Sequence, residues 1–215
     1  MRRNDVHTCP ACATAARIRG TESFLYVCFQ CGTPVVNELN FPITQSAMPD
    51  DWCIIQLGTS GVYKDQSFEV IGKIRLQLRQ EYKNYWCLWY DQGQKYGWLA
   101  ESFGKYAVCE PVVFNLDEMG DIHSIKAGDK FDLYGKSTVV VDYVDPCEWI
   151  SISGEIAHWK DVSKRFISVQ AQNDEGIIAF FNLDSVGHRV NFIVGETTTL
   201  SALSLKAIRE WNEWK

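Results

Sequence analysis

The amino-acid sequence predicts a mainly β protein: a small zinc ribbon, then an internally duplicated antiparallel β-barrel or β-sandwich, then one C-terminal α-helix. Three observations carry that prediction. Two Cys-x-x-Cys pairs, Cys9/Cys12 and Cys28/Cys31, lie near the N-terminus. From Phe68 to Arg79 apolar and polar residues alternate, with Ile71 as the exception, and a period of two marks a strand with one buried face. The opening of this strand, FEVIGK, returns 63 positions later as FDLYGK. The expected boundaries are 1–33 for the ribbon, 34–51 for a linker, 52–198 for the duplicated β domain (units of about 52–114 and 115–198) and 199–215 for the helix.

The cysteine spacing is C-x2-C-x15-C-x2-C, which brings four thiolates within reach of one tetrahedral Zn²⁺. Gly32 follows the second pair, where a tight turn belongs, and Ser23–Val27 between the pairs reads as a short strand. A redox reading is weaker, because neither pair precedes a helix in a βαβ unit. Four thiolates leave no open coordination position. The expected cofactor is therefore one structural Zn²⁺ held by Cys9, Cys12, Cys28 and Cys31, which supplies the stability that so short a segment cannot gain from burial. Residues 1–31 carry Arg2, Arg3, Arg17 and Arg19 against Asp5 and Glu22; four less two leaves +2. That is sparse for several phosphate contacts.

The linker holds Pro34, Pro42 and Pro49 among polar residues. Ile54–Leu57 then reads as a strand and Gly58–Gly61 as a turn. After the alternating strand, 84–91 is apolar on both faces, as in a central strand or a barrel wall with an added layer. Its aromatics, with those that follow (Tyr85, Trp86, Trp89, Tyr90, Tyr96 and Trp98), read as core before they read as a ligand platform. Strands at 96–100 and 106–110 follow with turns too close to admit helices, an antiparallel meander. In the second unit Phe131, Asp132, Gly135, Lys136 and Trp149 match Phe68, Glu69, Gly72, Lys73 and Trp86, all at the same offset of 63. A glycine in the middle of both strands implies a bend or bulge, and the two lysines read as solvated. Further strands are expected at 148–153, 166–172, 177–183 and 189–194, with Asn173–Gly176 as a hairpin turn. Thr199 or Ser201 can cap a helix running to about Trp214, with Leu200, Leu203, Ala207, Ile208, Trp211 and Trp214 on one face, docked on the β domain.

Composition narrows the function classes. A net charge of −6 argues against general nucleic-acid coating. Hydrophobic content of 46% with 22% charged residues is that of a folded globular chain. No apolar run approaches the roughly 20 residues of a membrane span, and MRRNDVHTCPAC lacks the apolar segment of a secretory signal. Cys53, Cys87, Cys109 and Cys147 are scattered singly like small buried hydrophobes, which fits a reducing cytoplasm. There is no nucleophile elbow, phosphate loop, HExxH or dinucleotide fingerprint. The histidines His7, His123, His158 and His188 are dispersed; Glu155-Ile-Ala-His158 sets a carboxylate near an imidazole, but a surface or satisfied histidine is the base expectation. Asp117, Glu118 and Asp121 read as a solvated acidic loop.

LGTSGVY (57–63), FEVIG (68–72), YWCLWYD (85–91), GWLAESFGKYAV (97–108), FDLYGK (131–136), Gly154–Glu155 and FFNL (180–183) occur in an order that resembles the bacterial family catalogued as domain of unknown function 4178. The match covers roughly 52–200. The resemblance implies a duplicated β-rich domain, sometimes preceded by a short zinc ribbon, and a genomic setting beside membrane-stress proteins and polyamine-synthesis enzymes. It implies no activity and no catalytic residues. The functional expectation is a non-catalytic cytoplasmic adaptor that acts through a protein partner, itself membrane-associated in some settings. The alternatives are a zinc-ribbon nucleic-acid binder and a β-barrel for a small cationic ligand such as a polyamine.

Overall fold

The computed structural model describes residues 6–36, 39–40, 53–79, 81–102, 104–113, 124–133, 137–159, 165–184 and 190–210. The ribbon carries β1 (Val6–Thr8), β2 (Ala15–Arg17), β3 (Ser23–Val27), β4 (Pro34–Val36) and β5 (Leu39–Asn40). The start of the expected linker is thus ribbon strand, because Val35 is buried in the ribbon's own small core with Cys9, Tyr26 and Cys28. Two antiparallel meanders follow. The first is β6 (Ser60–Tyr63), β7 (Gln66–Gln77), β8 (Tyr82–Tyr90), β9 (Lys95–Ser102) and β10 (Lys105–Pro111). The second is β11 (Lys130–Leu133), β12 (Ser137–Ala157), β13 (Arg165–Gln172), β14 (Ile177–Asp184) and β15 (Val190–Thr198).

Two seams join the meanders. β10 pairs antiparallel with β15, and β12, already paired with β13, pairs along its later half with β7. Eight strands therefore close a hydrogen-bonded ring, β7-β8-β9-β10-β15-β14-β13-β12, with β6 and β11 outside it. A closed ring is a barrel, which leaves no open edge in its wall. Apolar residues fill three places. One cluster lies on the interior face, with Tyr85, Cys87, Trp98, Cys109, Trp149 and Phe180 among its members. The other two coat the outside of each meander, one around Trp86, Leu88 and Tyr90 and one around Val169, Phe181 and Phe192. This double burial explains why β8 is apolar on both faces, and it makes all six aromatics at 85–98 core residues, none more than 4% exposed.

The irregular Ile71 is a bulge. The register of β7 against β8 slips between Val70 and Gly72, and a one-residue slip exchanges the two faces of a strand. Phe68 and Val70 consequently join the outer cluster, while Ile74, Leu76 and Leu78 point into the barrel. At the same place β12 comes close. Gly72 pairs with Gly154, and a Cβ on Gly72 would sit 1.9 Å from the Glu155 carbonyl oxygen. The second seam repeats the device: a Cβ on Gly195 would sit 1.9 Å from the Val108 carbonyl oxygen.

Three expectations need correction. Residues 54–57 form no strand; Ile55 is fully buried as a plug under β6 and β7, in a loop whose Gly58 N–H donates to the Val70 carbonyl. The C-terminal helix is absent over 199–210, and residues 211–215 lie outside those described. A single 3-10 turn, Leu200–Leu203, buries Leu203 in the outer cluster. The chain then turns at Ser204 and Ala207, both left-handed, with Ser60 and Lys206 exchanging backbone hydrogen bonds and Arg209 N–H donating to Ile54. Tertiary backbone bonding outweighs a helical pattern this short. Finally, the five-strand order repeats, but the 63-residue offset lays β7 on β11 and β8 on β12, one strand out of step with that repeat. Trp86 and Trp149 accordingly occupy different clusters; Gly135 and Lys136 lie outside the described residues.

The seam geometry predicts that Gly72→Ala forces β7 and β12 apart and lowers stability by about 1–3 kcal/mol or more, the range for overpacking a tight interior. Urea unfolding of the variant checks this, and an unchanged midpoint would show that the seam yields without cost.

Candidate metal centre and a lysine-floored cleft

Each Cys-x-x-Cys pair folds as a knuckle, and the two knuckles are alike. Cys9 N–H donates to Thr14 and Ala13 N–H back to Cys9; Cys28 N–H donates to Thr33 and Gly32 N–H back to Cys28. Ala13 and Gly32 both adopt left-handed backbone, at φ 60° and 69°, so the glycine expected after the second pair has a strained alanine as its counterpart. The knuckles bring all four sulfurs within 4.8 Å of one another. Cys9 Sγ lies 3.7 Å from Cys31 Sγ, and Cys12 Sγ lies 3.6 Å from Cys28 Sγ. A tetrahedral four-thiolate site with metal–sulfur bonds near 2.3 Å sets its sulfurs about 3.8 Å apart, so the four cysteines lie close enough together to hold a metal ion.

Cys9 and Cys28 are buried, while Cys12 and Cys31 are exposed. Thr14 Oγ1 lies 3.3 Å from Cys12 Sγ and Thr33 Oγ1 lies 3.1 Å from Cys31 Sγ. The hydroxyl and amide of Thr33 bring the Cys31 thiol down to about 6, the Thr14 groups lower Cys12, and burial pushes Cys9 up to about 11. Two of the four sulfurs are thereby biased toward the thiolate that a metal requires.

The ribbon is fixed to the barrel by backbone and by one buried carboxylate. β3 pairs with the end of β12, Tyr26 opposite Glu155. The Glu155 carboxylate accepts from Arg19 N–H at 3.1 Å and from the Tyr96 hydroxyl at 2.5 Å. Burial holds its carboxyl above the ordinary value. His158, three residues on, turns to Glu22, with Nε2 3.7 Å from Oε2, and stacks edge-on against Tyr96. Glu155 and His158, noted together in the sequence, both meet the side chain of Tyr96. Arg19 uses its guanidinium on Glu69 at 2.8 Å. His123, His188 and the acidic loop at 117–121 lie outside the described residues.

A second feature was not anticipated from the sequence. A cleft of about 410 Å³ opens in the barrel between β8, β9, β10 and the facing strands β12 to β15. Lys83, only 2% exposed, lies in its floor. Its Nζ donates to the Tyr143 hydroxyl and to Gln170 Oε1, and lies 4.7 Å from the Phe180 ring centroid. The signal was present as parity: Lys83 shares the odd-numbered face of β8 with Tyr85, Cys87 and Trp89, all buried.

No family model, curated protein or solved structure matches the chain. Among the described residues no helix is long and apolar enough to cross a membrane.

Two outcomes are expected. Glu155→Ala strands the Arg19 N–H and the Tyr96 hydroxyl, and should cost about 1–3 kcal/mol, with faster hydrogen exchange at Tyr26 and Leu25 than in the barrel. Stripping the metal with a chelator should unprotect β1 to β4 while β8 and β9 keep their protection; uniform loss would place the metal's influence on the whole fold.

Proposed function

We infer that this protein is a zinc-stabilised, non-catalytic interaction protein whose ribbon meets a protein partner. One observation carries the reading. The ribbon is anchored through β3 and Arg19, yet Phe29, between Cys28 and Cys31 at the knuckle tip, is 76% exposed. A large aromatic held in solvent by a rigid metal knuckle is a preorganised anchor for another surface. Zinc is the ion that four cysteine thiolates at this spacing favour, and a closed four-sulfur shell assigns it a structural role. All eight cysteines are free of disulfides, which accords with a reducing cytoplasm. The motif order supports placing the chain with the domain of unknown function 4178 family, and with it a membrane-stress or polyamine-linked setting. The nucleic-acid alternative has less to rest on, because Arg19 is occupied by Glu69. A polyamine would meet Lys83 in the floor of the cleft.

Metal analysis of the purified protein should give about one zinc per chain, falling when Cys9 and Cys28 become serine. Affinity capture from native cells should recover a stoichiometric partner that Phe29→Ser loses while zinc content is retained. Recovery of the protein alone would overturn the reading; a partner that survives Phe29→Ser would move the interface off the knuckle.

A further inference from the structure

Neither the metal centre nor the closure of the ring gives Lys83 a task. Its two hydrogen-bond partners, the Tyr143 hydroxyl and the Gln170 amide oxygen, are both neutral. A buried ammonium without an ion-pair partner is unfavourable, and such groups are retained where an amine is put to use. The surroundings restrict what it can meet. The cleft carries charges of both signs: Glu81, whose carboxylate accepts from Ser102, Glu101, which accepts from Trp86 Nε1, and Asp142, which accepts from Gln170, stand with Lys105. An anion would approach three carboxylates and a cation two lysines. The apolar wall of Ala100, Ile178 and Phe180 suits an uncharged organic body.

We propose that this cleft binds a small uncharged carbonyl compound, an aldehyde or ketone with an apolar body, which Lys83 captures as an imine. The lone pair of neutral Nζ attacks the carbonyl carbon, the C–N bond forms and the π electrons move to oxygen. Oxygen takes up a proton, nitrogen gives one up, and loss of the hydroxyl with a second proton as water leaves the C=N bond. No oxidant or reductant is consumed. Burial brings Lys83 down to about 8, so about a tenth of the amine is neutral near neutral pH. Tyr143, whose hydroxyl touches Nζ, is kept protonated by burial and can donate a hydrogen bond to the carbonyl oxygen as negative charge develops on it. This inference is independent of the ribbon and its partner.

The test treats the full-length protein with benzaldehyde and cyanoborohydride near neutral pH and maps the trapped benzylamine by peptide mass spectrometry. Lys83 should be modified roughly a hundred-fold or more faster than the surface lysines Lys64 and Lys95, as the neutral fraction of an amine near 8 against that of an ordinary lysine requires. Tyr143→Phe should slow trapping at Lys83 and leave Lys64 unchanged. Lys83→Met should remove the fast adduct, and where that variant fails to fold the ratio within the wild-type protein decides. Labelling of Lys83 no faster than of the surface lysines, or none, would overturn the proposal and leave Lys83 as a packing element.

Discussion

Strand β12 reaches β7 only because two glycines face each other there, and both the ring and the ribbon depend on that contact. Gly154 stands opposite Gly72 with no room for a side chain on either. Beyond this point β12 leaves β7 and takes β3 as its neighbour, so one strand of 21 residues closes the barrel and then carries the ribbon. Glu155, the next residue, turns its carboxylate to the ribbon backbone and to Tyr96. A close approach, a strand exchange and a buried hydrogen-bonded charge thus occupy two consecutive positions.

Stability is distributed unevenly around this joint. The barrel has an interior cluster and two outer coats, and each strand of its ring pairs with a neighbour on both sides. The ribbon's own buried cluster is four residues, two of them cysteines, so its core and its candidate metal site share residues. A metal ion held by these cysteines would therefore stabilise the ribbon core directly, as in other small metal-stapled segments. Lys83 is the opposite case. It is a charge placed where the barrel would pack well with a methionine, held by a phenol, an amide and an aromatic face.

The parts of the fold that local sequence controls were legible. Cysteine spacing located the four-cysteine cluster, alternation located β7, and Asn173–Gly176 located a hairpin whose Asn173 Oδ1 does accept from Ile177 N–H. What was not legible depended on distant partners. The tail has a helical stripe, but its backbone finds Ser60 and Ile54 across more than a hundred residues. The bulge at Ile71 was visible as a broken alternation, yet that it transfers β7 from one apolar layer to another follows only from the pairing with β8. Glu155 and Tyr96 are 59 residues apart, and nothing local marks them as partners.

The two meanders are contiguous in sequence, are joined by the single connection over 112–129, and share an interior cluster and the β7–β12 and β10–β15 seams. Every seam bond made within one chain can be made equally between the first half of one molecule and the second half of another. The barrel is thus built in a form that permits reciprocal exchange of halves, with the length and stiffness of that one connection deciding between a closed monomer and an intertwined dimer.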